Sequence, residues 1–120
     1  MNRKIKRLRK KSNRRAYRSL RKCASDNDLL EVFHDVQEMF QDGDERVFSN
    51  YDNGAMDEYY VQIEGDKNKV YIIAFKNIID EDTGDVYMVS NYTTTTSAQL
   101  LKMSDSEFLQ IYNRIATYMY

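Results

Sequence analysis

The chain has 120 residues and a mass of 14.3 kDa, enough for one small domain. Its 18 Lys and Arg nearly cancel its 19 Asp and Glu, yet 12 of the 18 bases, and no acid, fall in residues 1–23. That stretch carries +12 and residues 24–120, with 6 bases against 19 acids, carry −13, while a single cysteine and a single histidine exclude an internal disulfide, a cysteine-based zinc site and a histidine-rich metal site.

Residues 1–23 (MNRKIKRLRKKSNRRAYRSLRKC) contain neither Gly nor Pro, and Ile5, Leu8, Ala16, Leu20 and Cys23 fall on one helical stripe with Ser12 in the gap. Twelve like charges repel, so this arm is expected to be helical or disordered, and ordered best by a polyanion or by the acidic body. The compositional boundary lies at about Ala24. Ser25 or Asp26 supplies an N-cap, Asp28 and Glu31 suit the first turn, and Leu29, Val32, Phe33, Val36, Met39 and Phe40 recur at helical spacing. A helix over about 27–41, stopped by Gly43, follows.

The period then changes. Arg46–Asn50 reads as a short strand and Asp52-Asn53-Gly54 as a tight turn. Alternation of Tyr59, Val61 and Ile63 with polar neighbours marks a half-buried strand over 57–64, and residues 65–68 turn the chain. Residues 69–77 are apolar on both faces, which predicts a central strand covered by helix. A turn over 80–85 leads to a third main strand, 86–92, which the β-branched threonines 93–96 can continue as an edge. Ser104-x-x-Glu107 is a capping box ahead of a helix built on Phe108, Ile111, Tyr112, Ile115 and Met119. The expected fold is α+β: a basic arm, a helix, a three- to four-stranded antiparallel meander with one face covered by two helices, and a C-terminal helix.

Catalytic chemistry finds little support in the pattern. A calcium loop starting at Asp80 would need Gly at its sixth position and Glu at its twelfth, where the chain has Asp85 and Asn91. A metal-dependent nuclease needs an acid-x-Lys on a strand; Glu64 with Lys67 and Asp66 with Lys69 have the wrong spacing, and Lys76 has no acid two residues earlier. His34, beside Asp35 and Glu38, lacks a Ser or Cys motif to activate and reads as a surface histidine. Cys23 sits next to cations that would lower its thiol pKa, but reads better as a small apolar position of the arm. No catalytic residue, metal ligand or cofactor is expected. The longest apolar run, Val70 to Phe75, is a strand's length, well short of the ~18–20 residues of a membrane helix. No apolar segment follows the basic start as a signal peptide would require, so the expectation is a soluble intracellular protein.

Ten tyrosines and no tryptophan are unusual. Tyr59, Tyr71, Tyr87 and Tyr92 are expected on strands and partly in the core, with Tyr51, Tyr60, Tyr118 and Tyr120 on the surface. Strand-borne aromatics can stack bases, but that needs neighbouring cations; in so acidic a body a protein-binding surface fits better. The arm is different. Arg7, Arg9, Lys10, Lys11, Arg14, Arg15, Arg18 and Arg21 form an arginine-rich segment suited to phosphates. The acids Asp42, Asp44, Glu45, Asp52, Asp57, Glu58, Asp80, Glu81, Asp82 and Asp85 can imitate phosphate spacing and occupy a basic protein groove, or simply keep the body soluble.

The segment RKKSNRRAYRSLRKCASDNDLLEVFHDVQEMF, residues 9–40, followed by a small acidic α+β body, resembles small phage-encoded anti-CRISPR proteins that inhibit type II effector nucleases. The resemblance implies a non-enzymatic inhibitor acting in the host cytoplasm on a guide-RNA-loaded nuclease. By that reading the arm touches RNA or DNA and the acids engage a basic protein groove, in the manner of a DNA mimic. The alternative is a small DNA- or RNA-binding accessory protein of a phage or mobile element that acts through the arm alone.

Overall fold

The computed structural model describes residues 25–51 and 59–118. Helix α1 (Asp26–Gln41) starts at a capping box: the Ser25 hydroxyl accepts from the Asp28 N–H at 3.2 Å, and the Asp28 carboxylate accepts from the Ser25 N–H at 3.1 Å. Its buried stripe is Leu29, Val32, Phe33, Val36 and Phe40. The helix closes with the Gly43 and Asp44 N–H groups donating back to the Phe40 and Met39 carbonyls, and Gly43 takes φ +91°, a conformation open to glycine at little steric cost.

Four strands follow: β1 (Arg46–Tyr51), β2 (Tyr59–Asp66), β3 (Val70–Ile79) and β4 (Val86–Thr95). They pair antiparallel in the order β1-β2-β3-β4, a meander with β2 and β3 in the centre. The expected strand over 57–64 is β2, which runs on to Asp66; residues 57 and 58 lie outside the described residues. The β2–β3 turn is tied by the Asp66 side chain, which accepts from the N–H groups of Asn68 and Lys69 at 2.9 and 3.0 Å, so the ladder persists up to that residue. β4 continues through Thr95 at the sheet edge, as the threonine run led one to expect. The expected turn at Asp52-Asn53-Gly54 lies outside the described residues.

Two helices close the chain. The six-residue α2 (Ser97–Lys102), absent from the sequence reading, is N-capped by Thr96, whose hydroxyl accepts from the Gln99 N–H at 3.2 Å. Helix α3 (Asp105–Thr117) begins at the expected capping box between Ser104 and Glu107. Its predicted apolar position at Met119 lies outside the described residues.

The register puts Val47, Val61, Ile63, Val70, Ile72, Ala74 and Val89 on one side of the sheet, all buried. On that side α1 packs over β1 and β2, and α3 over β3 and β4. Between the helices the rings of Phe33 and Phe108, both fully buried, stack at 4.5 Å with planes 8° apart. The opposite side is left open, as expected of a sheet with one face covered by two helices. β3 is central, but its outward residues Tyr71, Ile73 and Phe75 are half-buried, and the described helices all lie on the other side. Both amphipathic helices serve one face, because each presents a single apolar stripe and the stripes meet at Phe33 and Phe108.

Candidate interaction surfaces

Six of the candidate acids sit in turns. Asp42, Asp44 and Glu45 occupy the α1–β1 connection and Glu81, Asp82 and Asp85 the β3–β4 turn, and all are exposed. The two groups stand at opposite ends of the sheet, separated by the ten residues of β3, or roughly 30 Å at the usual rise per residue. They therefore form two separate acidic ends. Asp52, Asp57 and Glu58 lie outside the described residues, as do all eight arm cations, Arg7, Arg9, Lys10, Lys11, Arg14, Arg15, Arg18 and Arg21. The residues on either side of those three acids, Tyr51 of β1 and Tyr59 of β2, lie at the sheet end nearer the β3–β4 turn.

Asp80 is not a surface acid. It is 2 % exposed. One carboxylate oxygen accepts from the Asp82 N–H at 2.9 Å and the other from the Tyr87 hydroxyl at 3.3 Å. Its own N–H and C=O close the turn against the Asp85 C=O and the Gly84 N–H. A carboxylate at the first position of a tight turn has the backbone two residues on within reach, and this one is used up inside the fold. The Tyr87 phenol is pushed above its ordinary value, by loss of solvation first and then by the carboxylates of Asp80 and Asp85, against a hydrogen bond from Thr83 that pulls it down.

The open side of the sheet carries a surface that the charge pattern did not show. Arg46, Phe48, Glu64, Asp66, Lys69 and Tyr71 line a shallow concavity of about 600 Å³ across β1, β2 and the start of β3. The Lys69 ammonium stands 5.3 Å from the centre of the Tyr71 ring, and Tyr92 lies against Tyr71 at 5.7 Å. Phe48 is 53 % exposed, Met88 57 % and Tyr92 60 %. Of the tyrosines expected at the surface, Tyr118 is exposed, whereas Tyr51 is half-buried against the core; Tyr120 and the side chain of Tyr60 lie outside what the structure describes. The signal for this surface was present in the sequence. Tyr71, Ile73 and Phe75 alternate with Val70, Ile72 and Ala74, and Phe48 falls out of phase with Val47.

His34 is held on the surface. Its Nε2 lies 2.7 Å from an Asp105 carboxylate oxygen, with both side chains about half exposed, and the pair bridges α1 to the start of α3. Among the described residues no three of His, Cys, Asp and Glu come together as a metal site, and no helix is long and apolar enough to cross a membrane. No family model, curated protein or solved structure matches the chain.

Proposed function

We propose that this chain is a non-enzymatic inhibitor of a nucleic-acid-processing enzyme, a phage counter-defence protein of the anti-CRISPR kind whose target is a guide-RNA-loaded nuclease. The observation that carries the reading is the segregation of charge, +12 in residues 1–23 against −13 in residues 24–120. A nucleoprotein offers both complements: phosphates for Arg7, Arg9, Lys10, Lys11, Arg14, Arg15, Arg18 and Arg21, and basic protein surface for exposed acids. The acids available for that docking are Asp42, Asp44 and Glu45 at one end and Glu81, Asp82 and Asp85 at the other, with Asp52, Asp57 and Glu58 in the β1–β2 connection. Asp80 is omitted because its carboxylate is buried and already hydrogen-bonded. Two acidic ends roughly 30 Å apart favour a target groove that tracks a nucleic-acid backbone over a single compact pocket.

The test is inhibition of target-DNA cleavage by a guide-RNA-loaded type II nuclease, run beside RNA binding by the inhibitor alone. A full-length variant with the eight arm cations changed to Gln should lose RNA binding. One with Asp42, Asp44, Asp52, Asp57, Asp82 and Asp85 changed to Asn and Glu45, Glu58 and Glu81 to Gln should keep RNA binding and lose inhibition. If the acid variant inhibits as well as the parent, the body has no part in the function and the arm-only accessory role replaces this one. Metal-dependent cleavage of nucleic acid by the pure protein would overturn both.

A further inference from the structure

A strand at the edge of a sheet presents a row of main-chain N–H and C=O groups, and proteins blunt such edges with short strands, charged residues, proline or bulges. The two edges of this sheet differ in that respect. β1 has six residues, begins at Arg46 and follows Asp44 and Glu45. β4 has ten residues in unbroken register with β3, and its sequence, VYMVSNYTTT, holds no charge, glycine or proline. Each of the other three strands contains at least one charged residue. The side chains of Val86, Met88 and Tyr92 are nonetheless exposed along β4. The phase of this edge follows from the β3–β4 turn. The Asp80 N–H donates to the Asp85 C=O at 2.8 Å, so the odd-numbered residues of β4 bond to β3, and Val86, Met88, Ser90, Tyr92 and Thr94 turn their main chain away from it. The Tyr92 N–H agrees: it donates to the Asn91 Oδ1 at 2.9 Å.

We propose that β4 pairs antiparallel with β4 of a second copy of this chain, about a dyad at Ser90. Ser90 then exchanges main-chain bonds with Ser90 of the other copy, and Val86 with Thr94, once on each side of the dyad. These pairs call on neither the main chain of Met88 nor the Tyr92 N–H, which Asn91 keeps. On the open face Met88 stands opposite Tyr92 and Val86 opposite Thr94, so no like charges meet along the strands.

The occupant is a copy of the chain because β4 is complementary in charge to itself reversed. The exposed acids Glu81, Asp82 and Asp85 stand at its start. Just past its end the Ser97 N–H donates to the Lys67 C=O at 3.0 Å, which holds the exposed Lys67 there. Antiparallel pairing sets the acids of each copy beside Lys67 of the other, whereas parallel pairing would set acids against acids. The β1 edge offers no such match, since Asp42, Asp44 and Glu45 precede that strand and Asp52 follows it. Self-pairing there would bring acids together nowhere near a cation of the same edge except Arg46. The pairing through β4 uses no residue of the basic arm and does not rest on the proposed function.

The test is sedimentation of the full chain, carrying Cys23→Ser, over a dilution series. The mass should be twice 14.3 kDa in concentrated solution and fall to the single value on dilution. Ser90→Lys, at an exposed position, sets two ammonium groups opposite each other at the dyad and should leave a monomer throughout the series. Ser90→Cys in the same background should form a disulfide-linked dimer under mild oxidation, because the Cα atoms of a hydrogen-bonded pair stand about 5.5 Å apart. Asn50→Cys, exposed on the β1 edge, should not. Linking at residue 90 decides the matter where the lysine variant fails to fold. A monomer at every concentration overturns the proposal. So does a dimer that persists in a folded Ser90→Lys protein, or one that links through residue 90 no better than through residue 50, because the contact then lies elsewhere, as when the arm of one copy meets the acidic body of another.

Discussion

Tyr112 lies on α3 with 5 % of its surface exposed, and its hydroxyl has no hydrogen-bond partner among the described residues. A hydroxyl taken out of water and left unpaired costs about 1–3 kcal/mol. Tyr112→Phe removes that oxygen and keeps the ring against the sheet. The void left is about the size of one oxygen, ~10 Å³, which at the usual cavity coefficient costs only ~0.2–0.3 kcal/mol. The substitution should therefore stabilise the fold by about 1–2 kcal/mol at pH 7, raising the urea midpoint by roughly 1 M at an unchanged slope. A second consequence separates this cause from a general improvement in packing. Burial raises the Tyr112 phenol well above its ordinary value of 10.0. Below pH 10 folded and unfolded chains both hold the proton. Above it only the unfolded chain releases it, so stability falls by ~1.4 kcal/mol per pH unit. The phenylalanine variant has no proton to lose at this position. Urea titrations of both proteins at pH 7 and pH 11 should therefore show a gap that widens by ~1.4 kcal/mol in favour of the variant. A lower midpoint at pH 7, or a gap that stays constant with pH, would refute the claim that this hydroxyl is buried and unpaired.

Gly65 takes φ +143°, and a Cβ there would collide with the Lys69 carbonyl oxygen and come within 2.9 Å of the Val70 Cα; Gly65→Ala should cost about 2–4 kcal/mol, read from the urea midpoint. Asp80→Ala should cost about 2–3 kcal/mol by stranding the Asp82 N–H and the Tyr87 hydroxyl, and Asp80→Asn, which can still accept from Asp82, about 1 kcal/mol. The exposed pair of His34 and Asp105 should matter little: His34→Ala should change stability by under about 1 kcal/mol in a thermal melt. If six to eight of the arm cations meet phosphates, a plot of log affinity for DNA against log salt should fall with a slope of roughly −5 to −7. A slope near −1 would remove the arm as the binding element.

The fold was legible where a short-range rule acts alone. Both long helices announced themselves through a cap and an apolar stripe, Ser25 or Asp26 for the first and Ser104 with Glu107 for the second, because capping and 3.6-residue periodicity are local; the structure settles the first cap on Ser25. The short helix at 97–102 was missed for a local reason too. Thr96 and Gln99 carry its cap, but Thr96 ends a threonine run whose β-branching argues for strand, and six residues show too little periodicity to outweigh that. Asp80 illustrates a different limit. In the sequence it looks like its neighbours Glu81, Asp82 and Asp85, and only the closure of the β3–β4 turn, with Tyr87 folding back on it, turns one of four acids inward. The open sheet face was legible only in part: two amphipathic helices can cover one side, but the outward apolar residues of β3 look the same whether helices cover one side of it or both.

That last ambiguity bears on what the charge pattern means. Had helices covered both sides of the sheet, the acidic body would be a closed particle whose only link to the arm is the chain at Ala24, and the two charges would act independently. One side of the sheet is instead clear of the described helices, with Phe48, Tyr71 and Tyr92 outward on β1, β3 and β4 and with Arg46, Glu64, Asp66 and Lys69 set among them. Those two cations and two acids balance, so the face adds little to the electrostatics by which an arm of +12 would meet a polyanion. If the arm alone meets phosphates, loss of Phe48 and Tyr92, neither of which carries charge, should leave nucleic-acid affinity and its salt slope unchanged. A change in either would show that the open face takes part in binding.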